Sequence, residues 1–184
     1  MIGHAFRSLL AFLDERDLRE AVLARVPPEA AETMQNPPWM LAWVDSFAVD
    51  ELERALGEIA GPPMLVELGL YLARGQGRKL VQPLLHTALS LLGQTPASVY
   101  GRLDWLYSLT VKGLELAWLP GTGSAGIVEL RCAGPSVPEA AYHVVEGTLR
   151  FVLELCDRPG EVDRFELVSA TPSGSVVRFA VRWQ

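Results

Sequence analysis

The chain is short of what metal chemistry, secretion and nucleic-acid binding require. Two cysteines in 184 residues, Cys132 and Cys156, are too few for a disulfide framework. Both sit in apolar segments, where a free thiol behaves as a small hydrophobe. Three histidines, His4, His86 and His143, lie far apart, and no H-x-x-x-H or C-x-x-C spacing groups metal ligands. Charges interrupt the chain too often for a span of about 20 apolar residues, so no transmembrane helix is expected. The opening Met1-Ile-Gly-His-Ala-Phe-Arg lacks the pattern of a secretion signal. Only Arg78-Lys79 approaches a basic patch, and 16 Lys and Arg against 22 Asp and Glu leave a net charge of −6. Nothing there displaces counterions from DNA or RNA, so nucleic acid is not an expected partner. A cytoplasmic location is the simplest expectation.

Catalytic parts are missing too. There is no nucleophile elbow, no Walker loop and no Cys–His arrangement. Gly121-Thr-Gly-Ser-Ala-Gly126 matches G-x-G-x-x-G, but the dinucleotide fingerprint needs a strand before it and a helix after it. Here Ile127-Val-Glu-Leu-Arg131 reads as a strand, so the glycines read as a hairpin loop. Asp50, Glu51 and Glu53 read as the N-terminal charge of a helix. No enzyme, cofactor or metal is expected.

What is present is enough apolar material for a core: hydrophobic residues make up 49% of the chain and charged residues 21%. The spacing predicts an α+β single domain over 1–184, mostly helical over 1–112 with about six helices. Apolar periodicity runs through Leu9-Leu10-Leu13 and Leu18-Val22-Val26 up to Pro27-Pro28, and a short helix follows over Glu29–Met34. Val49, Leu52, Leu56 and Ile59 mark a helix capped by Ser46 and ended at Gly61. Leu65, Leu68 and Leu72 mark another, and Leu80, Leu84, Ala88 and Leu91 a further one that carries His86. Thr95-Pro96 opens a helix through Val99, Leu103, Leu106 and Thr110, closed by Gly113.

After Gly113 the apolar period falls to 2, and residues 113–184 read as hairpin, helix, hairpin. Pairing Leu116 with Leu130 and Trp118 with Val128 puts Glu115 opposite Arg131. Ser136-Val-Pro-Glu139 reads as a capping box for a helix whose buried face is Ala141, Val145, Thr148, Val152 and Leu155. In the last hairpin, Phe165 opposite Phe179 and Leu167 opposite Val177 set Glu166 opposite Arg178, with an odd-length loop and Gly174 at positive φ. A four-stranded antiparallel sheet with helices on one face is the expected product.

Large aromatics stand out. Trp39 and Trp43 are four apart, and Trp105 and Tyr107 precede the first hairpin. Core packing is the first expectation for them; the alternative is an apolar pocket or a dimer surface. His86, on an apolar helix, is read first as a buried, hydrogen-bonded histidine and second as a haem or metal ligand.

The order of segments resembles a paralogous family of small uncharacterised proteins abundant in myxobacteria. That family is similar to the superfamily of vinyl-reductase-type regulatory domains, haem-NO-binding-like domains and a transport-complex subunit. The residues that carry the resemblance are Gly3 with Phe6-Arg-Ser-Leu9, Val22-Leu-Ala-Arg-Val-Pro-Pro-Glu29 and Leu41-Ala-Trp43. Further along come Glu67-Leu-Gly69 with Gly75, Gly147 before Phe151-Val-Leu-Glu-Leu155, and Val177–Trp183. The resemblance implies an α+β, dimer-forming fold used for sensing or for holding partners, sometimes around a hydrophobic cavity. Its functional residues mostly do not transfer: Ser169–Ser175 holds none of the cysteines that vinyl-reductase-type domains carry there. Tyr107-Ser-Leu-Thr-Val111 departs from the Tyr-x-Ser-x-Arg signature of haem-binding relatives. The expected function is a non-enzymatic bacterial regulatory or sensory module that binds a small apolar ligand or a protein partner, as a homodimer. The expected contact residues are Trp39, Trp43, Trp105, Tyr107 and His86. A structural adaptor with a filled core is the alternative, and a haem or gas sensor using His86 a third.

Overall fold

A computed structural model describes residues 1–76, 95–133 and 137–184. Five helices open the chain: α1 Gly3–Asp14, α2 Arg19–Leu23, α3 Pro28–Gln35, α4 Ser46–Ala60 and α5 Pro62–Gln76. Two short ones, α6 Pro96–Tyr100 and α7 Leu103–Ser108, lead into strands β1 Leu114–Pro120 and β2 Ala125–Ala133. Helix α8, Glu139–Leu155, and strands β3 Gly160–Val162, β4 Glu166–Thr171 and β5 Gly174–Trp183 complete it. The α+β class expected from the periods holds. The helix expected over Leu80–Leu91, with His86, lies outside the described residues, as does Ser136.

Several helix boundaries move for local reasons. Asp45, not Ser46, caps α4, its carboxylate accepting from the Phe47 N–H at 2.8 Å. Thr95 caps α6 as expected, but the helix stops at Tyr100 and a second starts at Leu103, with Gly101 at the break. The expected capping box is displaced, because α8 begins at Glu139 with Pro138 in the N-cap position and no side-chain cap.

The first hairpin has the expected register: Glu115 faces Arg131, Leu116 faces Leu130 and Trp118 faces Val128. In the second, Glu166 faces Arg178 and Leu167 faces Val177. The expected fourth strand is broken into β3 and β4, both paired to β5, so the sheet has five strands in the order β1-β2-β5-β3 with β4 also on β5. The loop is also shorter than expected. A bulge between Leu167 and Ser169 takes up the odd residue, and Thr171 then pairs with Gly174 across two residues. Gly174 has positive φ, and a side chain there would strike the Cys132 carbonyl. The cross-strand charges do not pair as drawn. Arg131 and Arg178 both turn to the buried Glu129, each 2.8 Å from its carboxylate, because one shielded acid between two guanidiniums outcompetes two exposed pairs.

Two apolar clusters form. Phe6, Phe12, Leu13, Leu52, Leu56 and Leu68 gather in the helical half. Val128, Leu130, Val177, Phe179 and Val181 pack under Tyr100, Leu149 and Val152 on the sheet. Helix α8 is the wall between them, with Val144 in the first cluster and Val145 and Leu149 in the second. It is therefore buried almost all round from Tyr142 to Gly147, not on one stripe.

Helices α5 and α8 touch backbone to backbone. A Cβ on Gly69 would overlap the Val144 carbonyl, and a Cβ on Gly147 would overlap the Val66 carbonyl. The ends are tied by Arg74, whose guanidinium donates to both Glu154 oxygens at 2.9 Å. In a helix interior Ala normally stabilises over Gly by about 0.5–1 kcal/mol. Here the sign is expected to reverse: Gly69→Ala and Gly147→Ala should each destabilise by about 2–3 kcal/mol through overpacking. A lower urea midpoint at unchanged slope is the check; an unchanged midpoint would mean that the helices separate at no cost.

Candidate functional site

Between the two clusters lies a cavity of about 510 Å³, within the range of small-molecule sites. One wall is the stripe of α8 that the periodicity marks as buried: Ala141, Val145, Thr148, Val152 and Leu155 all line it. Three of these, Ala141, Thr148 and Leu155, are only half-buried. The opposite side comes from α7 and the segment after it, with Leu103, Leu106, Tyr107 and Val111. Leu72 and Ala73 of α5, and Val49, Asp50 and Glu53 of α4, close it toward the helical half.

The polar groups of this lining are few. Glu53 is only 3% exposed, and no hydrogen bond steadies its carboxyl. Burial pushes its pKa up to about 8, with the neighbouring Asp50 adding to the rise and the Met1 ammonium opposing it. Asp50 is raised to about 6, also mainly by burial. Tyr107 is raised to about 12 by burial, against a lowering from its hydrogen bond with Thr148. Its phenol is therefore neutral at pH 7. Lys112 also lines the cavity, and its ammonium lies 4.1 Å from the centroid of the Trp43 ring.

Of the five residues singled out from the sequence, Tyr107 lines the cavity. Trp39, Trp43 and Trp105 do not, and the core-packing expectation for them fails: they are 66%, 43% and 51% exposed. Trp39 and Trp43 lie in the segment between α3 and α4, and Trp105 on the short α7. His86 lies outside the described residues. His143 is buried against Phe165, with a ring nitrogen 3.6 Å from a Glu146 oxygen. Glu53 and Asp50 were hidden behind the helix-dipole reading. A clue was available, since Glu53 falls one residue after Leu52 and three before Leu56, on the edge of the apolar stripe. Among the described residues no group of three or more His, Cys, Asp or Glu could hold a metal ion, and no helix is long and apolar enough to cross a membrane.

The sign of the pH effect follows from Glu53. Its folded pKa lies above the unfolded value, so the folded state holds the extra proton between about pH 4.5 and 8. Stability is present below that window and falls as pH rises through it, by at most about 1.4 kcal/mol per unit from this group. Denaturation across pH should show the decline, and Glu53→Gln should flatten it and raise stability at pH 8. A profile identical in the two proteins would mean that Glu53 is ionised and solvated.

No family model matches this sequence, and no curated protein does. Solved structures do match. An H-NOX protein from K. algicida in the Fe(II) unliganded state superposes with a TM-score of 0.74 at 12% identity, over 100% of this chain and 97% of that one. An oxygen-binding H-NOX domain related to soluble guanylate cyclases gives 0.68 at 14% identity, over 100% and 95%. A Cs H-NOX mutant gives 0.69 at 14% identity, over 100% and 97%. From end to end, this chain has the fold of the H-NOX domains.

Proposed function

We propose that this chain is a non-enzymatic sensory or regulatory module that holds a small, largely apolar ligand between its helical half and its sheet. The observation that carries the reading is the α8 stripe, Ala141, Val145, Thr148, Val152 and Leu155, all five of which line one cavity. A ligand there would touch α4, α5, α7 and α8 at once, so its binding energy would bear on how these helices sit together. The H-NOX neighbours support a sensing role, one of them being described as oxygen-binding.

Those neighbours also favour a second reading, since one is described by its Fe(II) state and another by its haem distortion. Haem iron takes an axial His, Cys, Met or Tyr. The described lining contains no His or Cys, its Tyr107 keeps its proton, its one thioether is Met1 at the chain's amino end, and the Asp50 and Glu53 acids stand in the same wall. The described residues therefore offer haem no histidine or cysteine, and that reading would rest on His86. An absorption spectrum separates the two. No Soret band is expected as purified or after adding haemin, while native mass spectrometry should detect a small organic molecule that Val145→Trp excludes. A Soret band abolished by His86→Ala would overturn the first reading in favour of the second.

The exposed Trp39, Trp43 and Trp105 suit a surface for a second copy of the chain, because uncovered aromatics of this size mark interaction sites. Sedimentation velocity should show a concentration-dependent dimer that Trp43→Ser with Trp105→Ser returns to monomer. A wild-type monomer at all concentrations would remove the homodimer.

A further inference from the structure

The proposed function leaves open what distinguishes a ligand of this cavity from any other apolar molecule of its size. Glu53 supplies the answer. It comes from the second turn of α4, sits at the cavity wall with 3% exposure, and makes no hydrogen bond. A buried carboxyl without a donor is costly, and a chain normally removes or pairs it. Among the described residues no side chain hydrogen-bonds it, and the one cation felt there is the Met1 ammonium. From α5 come Leu72 and Ala73, and from α8 come Ala141, Val144, Val145 and Thr148, none of which titrates. Among the described residues, the titratable groups around it are Asp50 on the same helix, Tyr107 on α7, the Met1 amino group and Lys112. Asp50 adds negative charge, Tyr107 is hydrogen-bonded to Thr148, and Lys112 is placed over Trp43.

Resting on the reading of the cavity as a ligand site, we propose that Glu53 is its polar anchor and that the ligand is an apolar molecule with one protonated amine. An ammonium beside Glu53 meets an acceptor that no described side chain hydrogen-bonds and a second carboxylate, Asp50, within the same wall, with the Met1 ammonium as the competing charge. Its apolar body lies along Val145, Val152 and Leu155. A carboxylate ligand of the same shape meets two acids and is rejected. A neutral alcohol fills the space but gains no charge-assisted bond from Glu53. Because Glu53 holds its proton at neutral pH, binding the ammonium expels that proton to solvent. Affinity for the cation therefore rises with pH until Glu53 is ionised in the free protein, near pH 8.

Titration calorimetry of the whole chain with octylammonium, 1-octanol and octanoate, three probes of one shape, tests this. At about pH 8 octylammonium should bind roughly tenfold tighter than octanol, with octanoate weaker than both. From about pH 6 to 8 its affinity should climb several-fold while that of octanol stays level. Glu53→Gln should bring octylammonium down to the affinity of octanol and abolish the pH dependence. Octanol binding as tightly as octylammonium, or a preference that survives Glu53→Gln, would overturn the anchor while leaving the cavity reading intact. If none of the three binds, the cavity reading fails and this inference falls with it.

Discussion

The close crossing of α5 and α8 sets the dimensions of everything around it. Gly69 and Gly147 let each backbone rest on a carbonyl of the other helix, Val144 and Val66 in turn. Any side chain at either position would push the helices apart, and α8 could not then serve both clusters. One of its sides would leave the helical core that Val144 enters, or the other would leave the sheet that Leu149 and Val152 cover. The Arg74–Glu154 pair at the ends is exposed and adds at most about 1 kcal/mol. Steric fit, not charge, holds the two halves in register.

The cavity follows from the same crossing. Once α8 is drawn against α5 by its glycine face, its Ala141–Leu155 stripe borders a space whose far side is the short α7. Tyr100 anchors the neighbouring turn by donating to the Leu149 carbonyl at 2.9 Å, which keeps the α6–α7 break over the sheet and away from the space beside Thr148. An apolar space with one unpaired acid in it is an expensive arrangement for a protein whose only task is to stay folded. Such expense is characteristic of sites.

Much of this was legible in the chain because periods and registers are local. Leu116 with Leu130, Trp118 with Val128 and Glu166 with Arg178 came straight from alternation, since a one-residue slip would have put every apolar side chain on the wrong face. The resemblance also has a physical content. Gly3, Gly69 and Gly147 are places where a Cβ would strike the carbonyls of Trp39, Val144 and Val66. What stayed hidden depended on neighbours distant in sequence. The α8 stripe was read correctly as apolar, but nothing local says whether such a face meets a helix or a cavity. Glu53 looked like a dipole charge because its surroundings come from α5, α7 and α8. Glu115 and Arg131 stand opposite as expected, yet Arg131 prefers Glu129, a choice made by burial on β2 and by Arg178 from β5.

The broken fourth strand has a further effect, on how this molecule behaves in a crowd. A sheet edge is a template on which another chain can continue the ladder. Here one edge is interrupted at Asp163–Phe165 and bulged at Val168, and the other, β1, ends in Pro120, which has no N–H to give. Leu167 and Val168 are exposed on that edge, so a straight, continuous strand there would have invited strand addition and fibrous aggregation. The irregularity leaves that edge no straight ladder for a second chain to continue.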